Sequence, residues 1–257
     1  WLQTEWWKLD VFITNITEQF AQICLAGPNA KTVIEEVFEK RFPSHEFAFM
    51  RCLPVTFAGQ NANIYRISFS GELSFEIAVP NKLGLSFWKR CMEVGENYGI
   101  QPYGTEALHV MRAEKGFIMI GDETDGTVTP QDLNLGWAVS KKKTDFLGKR
   151  AQARSFLTAS NRKKLVGLLT LDKNLILPDG AHIITGVANS STPEIIGHVT
   201  STYFSPTLGR SIALALIEGG LDGLGDLIDL SVSDSEIIKA KVVDPVFYDP
   251  EGDKQNV

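Results

Sequence analysis

Glu76 is the residue whose setting most suggests chemistry. It lies in the run Ser74-Phe75-Glu76-Ile77-Ala78-Val79. Side chains of a strand alternate between faces. Phe75, Ile77 and Val79 therefore make a core face, and Glu76 shares the other face with Ser74 and Ala78. Small neighbours on both sides would leave the carboxylate recessed. An unpaired buried charge costs on the order of several kcal/mol, so such a group needs donors. A heterocycle offering two adjacent N–H groups would meet that need with a bidentate pair. The same pattern fits a solvent-facing glutamate on a half-exposed sheet, and pattern alone favours that simpler reading. Arg112, near the end of an expected helix, could hold a ligand carboxylate or pair with Glu106 or Glu114; pairing is the simpler assignment. Trp137 could wall a pocket or anchor a core.

Other chemistry-bearing patterns resolve into ordinary structure. The acidic loop Asp122-Glu123-Thr124-Asp125-Gly126 hints at calcium, but the position of the closing glutamate is Leu133, so calcium is rejected. His45, His109, His182 and His198 have no metal spacing. The glycine-rich stretch 219–225 lies between β-prone runs rather than between a strand and a helix, which excludes a dinucleotide fingerprint. No serine nucleophile elbow is present. Lys141, Lys142 and Lys143 make a solvated face that could attract a polyanionic tail.

The chain has 257 residues and a net charge of −6, which argues against a nucleic-acid partner. Its three widely spaced cysteines, Cys24, Cys52 and Cys91, form neither a zinc site nor a disulfide framework. A reduced, cytoplasmic setting is expected. No run reaches the length of a membrane span, and no signal peptide is visible.

The elements that must position these residues read as α+β followed by β. Strands are expected at 11–14, 20–26, 64–69 and 74–79, the last two joined by a hairpin-like connection. One helix opens at Asn29 or Ala30 and buries Val33, Ile34, Val37 and Phe38. A second spans about 83–98, with Leu83, Phe87, Trp88, Cys91 and Val94 inward. The tryptophan-rich start, Trp1, Trp6 and Trp7, suggests a helix packed on its own domain or on a partner segment. The central helix has Thr105 as its N-cap and Gly116 as its C′ residue. Six short strands at 165–170, 182–187, 195–203, 211–217, 227–232 and 237–243 predict an antiparallel barrel or sandwich. Polar residues 150–162 mark the boundary, giving an α+β region at 1–155 and a β-barrel at 156–257.

Several spaced motifs carry a resemblance over nearly the whole chain. Phe69-Ser70-Gly71-Glu72-Leu73-Ser74-Phe75-Glu76, Arg112-Ala113-Glu114-Lys115-Gly116, Thr129-Pro130-Gln131-Asp132 leading to Leu135-Gly136-Trp137, and Phe146-Leu147-Gly148-Lys149 are similar to motifs of the T-protein (aminomethyltransferase) family of the glycine cleavage system. Gly197-His198-Val199-Thr200-Ser201 and Phe247-Tyr248-Asp249-Pro250-Glu251-Gly252 resemble its C-terminal barrel motifs. The resemblance implies ferredoxin-like α/β units followed by a C-terminal antiparallel β-barrel, around a tetrahydrofolate site. It implies that Glu76 binds the pterin ring and that Phe69, Trp137 and Arg112 belong to the folate site. The residues 103–143 resemble most the branch formed by the C-terminal part of heterotetrameric sarcosine oxidase α subunits. That branch implies capture, by tetrahydrofolate, of the imine from sarcosine, giving glycine and 5,10-methylenetetrahydrofolate. It also implies FAD, FMN and NAD sites elsewhere in the assembly, and as partners the rest of an α subunit and the other subunits.

The chain also departs from the family pattern. Phe69 stands where many relatives have tyrosine. Leu108 stands where T-proteins carry an arginine for the folate tail, which leaves Arg112 and Lys141–Lys143 open for that role. The family's catalytic aspartate falls upstream of Trp1, so no catalytic residue is assigned. A chain starting at Trp1 is expected to be part of a longer polypeptide. Alternatives are an aminomethyltransferase acting with a lipoyl carrier and a non-catalytic folate-binding or interaction domain. Iron–sulfur maintenance relatives carry a cysteine after the Lys-Gly pair, and Phe117-Ile118-Met119-Ile120 has none.

Overall fold

The computed structural model describes residues 2–185, 193–233 and 236–256. They form two compact units, Trp1–Pro102 with Asp253–Val257, and Tyr103–Gly252. The polar stretch 150–162 lies inside the second unit, just ahead of the barrel.

The first unit is a four-stranded antiparallel sheet with helices on one face. Its elements are α1 (Leu2–Glu5), β1 (Phe20–Ala26), α2 (Ala30–Val37), β2 (Cys52–Phe57), β3 (Gln60–Tyr65), β4 (Ser74–Pro80) and α3 (Gly84–Gly95), with sheet order β1-β4-β3-β2. Alternation sets the core: Leu25, Val55, Ala62, Ile64, Phe75, Ile77 and Val79 meet Val33, Ile34 and Val37 of α2 and Phe87, Cys91 and Val94 of α3. Phe38, Phe42, Phe47, Phe57, Phe75 and Phe87 form a connected aromatic cluster with centroids 5.0–6.3 Å apart. Such pairs add about 0.5–1.5 kcal/mol each beyond the area they bury. The link from α2 to β2 is fastened by Glu35, which accepts from the Phe42 N–H at 2.9 Å and Arg41 at 2.7 Å. Buried Arg66 donates to the Phe47 carbonyl at 2.8 Å and the Gln255 carbonyl at 3.2 Å.

Several expectations need correction here. Residues 11–16 have no regular structure, because no strand lies beside them to complete a ladder. None of α1 is buried, so the tryptophan-rich start is not a helix packed on its own domain; Trp1 lies outside the described residues. The strand expected at 64–69 is β3, which begins at Gln60 and ends at Tyr65. It leaves the ladder where Arg66 turns inward. β2 was not foreseen. Trp88 faces outward rather than into the core, although Phe87, Cys91 and Val94 do face in.

The second unit holds α4 (Thr105–Glu114), a long irregular segment with a 3-10 turn at Gly136–Ala138, the short α5 (Lys149–Gln152) and the barrel. Its strands are β5 (Lys163–Thr170), β6 (His182–Thr185), β7 (Glu194–Ser205), β8 (Arg210–Glu218), β9 (Leu227–Ser233) and β10 (Glu236–Val243), closed in the order β10-β5-β8-β7-β6-β9. Residues 186 and 187 of the expected second strand lie outside the described residues. Val166, Leu168, Ile183, Val199, Ala213, Ala215, Leu230 and Val242 fill the interior. On the outer side, Leu165, Ile212, Leu214 and Leu216 pack with Ala113 of α4 and with Leu133. β8 is buried on both faces, so it reads as a continuous apolar run instead of alternating.

The α4 ends differ from expectation at one side only. Gly104, not Thr105, is the N-cap, and no side chain caps the helix. At the other end Gly116 takes φ +65°, with Gly116 N–H donating to the Ala113 carbonyl at 3.0 Å and Phe117 N–H to the Arg112 carbonyl at 2.9 Å. That is the paired bonding of a Schellman motif. A Cβ there would sit 2.5 Å from the Pro245 carbonyl oxygen, which excludes a larger residue.

Candidate functional site

Among the described residues of the first unit, no helix packs on one face of its sheet. Strand alternation places Gln22 and Cys24 of β1, Ser74, Glu76 and Ala78 of β4, Asn61, Asn63 and Tyr65 of β3, and Cys52, Pro54 and Thr56 of β2 on it. The opposite residues of each strand pack in the core. Glu76 is on an interior strand, paired with Cys24 on one side and Tyr65 on the other; Tyr65 in turn pairs with Cys52. Adjacent strands are about 4.8 Å apart, so this row spans about 14 Å. Cys24 and Cys52, at its two ends, are far beyond disulfide reach.

Glu76 is half-buried between buried Ser74 and Ala78. The side chain is neither free in solvent nor closed off. Its Oε2 accepts a hydrogen bond from the Gln22 amide. Ser74 Oγ meets Cys24 Sγ at 3.3 Å. Burial pushes the Tyr65 hydroxyl above its usual pKa, and neighbouring Cys52 adds to the rise. Phe69 is half-buried in the connection from β3 to β4. Two cavities of the first unit, about 310 and 700 Å³, lie at the β2 edge and beside α2; Glu76 lines neither.

Arg112 and Trp137 belong to the second unit. Arg112 is completely buried. Its Nη1 donates to Glu123 at 2.8 Å and the Phe117 carbonyl at 3.1 Å, and its Nη2 to Ser201 at 2.7 Å and Asp122 at 3.2 Å. Glu123, equally buried, also accepts from the Met119 N–H at 2.7 Å, Thr200 at 2.9 Å and Ser201 at 2.5 Å. The partners of Arg112 are thus not Glu106 or Glu114. Glu114 accepts instead from Ser205 at 2.6 Å and Thr207 at 3.2 Å. An arginine engaged this way holds the barrel wall to the end of α4, and four of its N–H positions are already occupied. Trp137 is 79% exposed on its 3-10 turn, so it is not a core anchor. Lys141, Lys142 and Lys143 are exposed, and Leu108 is half-buried.

Asp132 is a buried residue that sequence reasoning saw only as part of a motif. Burial alone would raise its carboxyl pKa. Hydrogen bonds from Arg162 and Thr129 outweigh that and hold it below the usual carboxylate range. A cavity of about 340 Å³ beside it is lined by Asp125, Phe156, Arg162, Lys163, His198 and Glu218 among others. His198 is held below its ordinary pKa by burial, then by Lys163. Gln22 was missed altogether; the only signal was its position two residues before Cys24 on the polar face of β1. Among the described residues no group of three or more His, Cys, Asp or Glu could hold a metal ion. No helix among them is long and apolar enough to cross a membrane.

Comparison with known proteins adds context. A family model described as the GCVT N-terminal domain matches residues 1–143, and one described as the glycine cleavage T-protein C-terminal barrel domain matches 163–249. The chain is 45% identical over 260 residues to a sarcosine oxidase subunit alpha from Corynebacterium sp. (strain U-96), covering 100% of this chain and 27% of that protein. It is 32% identical over 252 residues to an aminomethyltransferase from Alkaliphilus metalliredigens (strain QYMF), covering 96% of this chain and 65% of that protein. The chain therefore spans about a quarter of the length of the first relative. The crystal structure of glycine cleavage system aminomethyltransferase T from Bartonella henselae superimposes with a TM-score of 0.74 at 24% identity, over 89% of this chain and 60% of that one, which shows the fold.

Proposed function

Because the chain belongs to the glycine cleavage T-protein family, we propose that the open sheet face around Glu76 binds tetrahydrofolate. We propose further that the chain serves as the folate-binding part of a sarcosine oxidase α subunit. The observation that carries the reading is the placement of Glu76. It is a half-buried carboxylate on an interior strand, flanked by small buried residues, with Oε1 still open to a ligand. That donor requirement fits the adjacent ring N–H and amino groups of a pterin, whose bidentate pairing with a carboxylate is charge-assisted.

A bound reduced folate supplies the nitrogen nucleophiles that take the one-carbon unit from the imine of oxidised sarcosine, leaving glycine and 5,10-methylenetetrahydrofolate. The chain's own part is binding and orientation. Glu76 fixes the ring edge, and holding the ring in place replaces a bimolecular encounter with one inside a complex. Phe69, half-buried in the connection from β3 to β4 of the same unit, offers aromatic surface. Arg112 acts as a structural centre. Position 108, where the T-protein resemblance implies an arginine for the folate tail, is a leucine. Flavin and nicotinamide chemistry belong elsewhere in the assembly, and the acid/base group to the longer polypeptide upstream. The aminomethyltransferase from Alkaliphilus supports a second reading, in which the same face serves one-carbon transfer from a carrier-bound aminomethyl group.

The test is titration of the full chain with tetrahydrofolate, alone and with Glu76→Ala. Saturable binding weakened at least tenfold by the substitution supports the reading. Binding that ignores the substitution rejects Glu76 as the ring ligand.

A further inference from the structure

We infer that Gln22 is a positioning residue for Glu76, an inference that rests on the folate reading above. In the β1–β4 register Gln22 lies opposite Ala78, one pair along from the Cys24–Glu76 pair. Its side chain reaches diagonally across the two strands, and its amide Nε2 donates to Glu76 Oε2. Such diagonal contacts are within reach of long side chains on one sheet face.

The contact lies away from the packed core. Gln22 is exposed, on an edge strand, and on the face away from the apolar core. Its effect falls on Glu76 instead. A glutamate side chain has three rotatable bonds, and fixing them on binding opposes affinity. Gln22 fixes them beforehand. One carboxylate oxygen is tied to the amide, which leaves Oε1, and the second acceptor site of Oε2, for a ring N–H and its neighbouring amino group.

The experiment uses the full chain and two probes: tetrahydrofolate, and p-aminobenzoylglutamate, which is the tail without the pterin. Gln22→Met keeps the length and removes both polar atoms. It is expected to weaken tetrahydrofolate about tenfold, the scale of one charge-assisted hydrogen bond. It is expected to leave the tail fragment unchanged and to cost nothing further in a Glu76→Ala background, since coupled residues are non-additive. Equal losses for both probes, or a full tenfold loss added to that of Glu76→Ala, would overturn the inference. An unaltered affinity in Gln22→Met with a weakened Glu76→Ala overturns this inference alone. An unaltered affinity in Glu76→Ala overturns the folate reading itself. Gln22→Ala, tested beside it, guards against an effect peculiar to methionine.

Discussion

Arg112 and Glu123 meet at 2.8 Å with neither side chain exposed to solvent. Around them Ser201, Thr200, Asp122 and two main-chain groups fill nearly every hydrogen-bonding position, and only Arg112 Nε among the guanidinium nitrogens has no partner. Breaking such a pair from one side leaves a charge stranded in the interior. Arg112→Met is expected to lower stability by about 3–5 kcal/mol. Arg112→Met with Glu123→Leu is expected to recover much of that, because both charges leave together. Urea unfolding of the three proteins measures it. A single variant as stable as the parent would mean that the network is not closed in solution.

Asp132 links the segment before the barrel to Arg162. Its folded carboxyl pKa is depressed, so its contribution is present above the unfolded value of about 3.9 and is lost as pH falls through the lower, folded value. Asp132→Asn removes the contribution at every pH. The variant is expected to be less stable at pH 7 and to lose stability less steeply below about pH 4. Acid unfolding curves of the two proteins test this; parallel acid limbs would rule it out.

Cys91 is buried on α3, and burial pushes its thiol up to about 12. Cys24 and Cys52 are exposed. A thiol reagent at pH 8 is expected to modify Cys24 and Cys52 in the native chain and Cys91 only after unfolding. The raised pKa gives a contribution that is intact below the unfolded value of about 8.5 and is lost as pH climbs toward 12. Rapid native labelling of Cys91 would show that α3 opens locally.

The barrel was legible because its strands are short, regularly spaced and separated by strong turns. All six appear where 165–170 through 237–243 placed them, to within a few residues. β2 was hidden for a physical reason. Pro54 removes a ladder donor, which is tolerated because β2 is a sheet edge. Its hairpin turn is Ala58-Gly59, both at positive φ, and an alanine in that conformation is not the usual turn signal. Trp88 looked inward because one helical stripe cannot separate a core residue from its flank.

The site was partly legible. The face on which Glu76 lies follows from strand alternation. The strand's interior position and the Gln22 contact depend on β1 pairing with β4, fifty residues away, which no local pattern contains. For Arg112, the pairing reading named the wrong partners. Glu106 and Glu114 are near it along the helix, whereas Glu123 and Ser201 reach it only through the fold.

The bond from Arg66 to the Gln255 carbonyl bears on how the polypeptide matures. A chain emerging from the ribosome presents Arg66 and its Phe47 acceptor nearly two hundred residues before Gln255, its second carbonyl acceptor. The first unit's sheet therefore gains this one bond only after translation has passed the whole barrel.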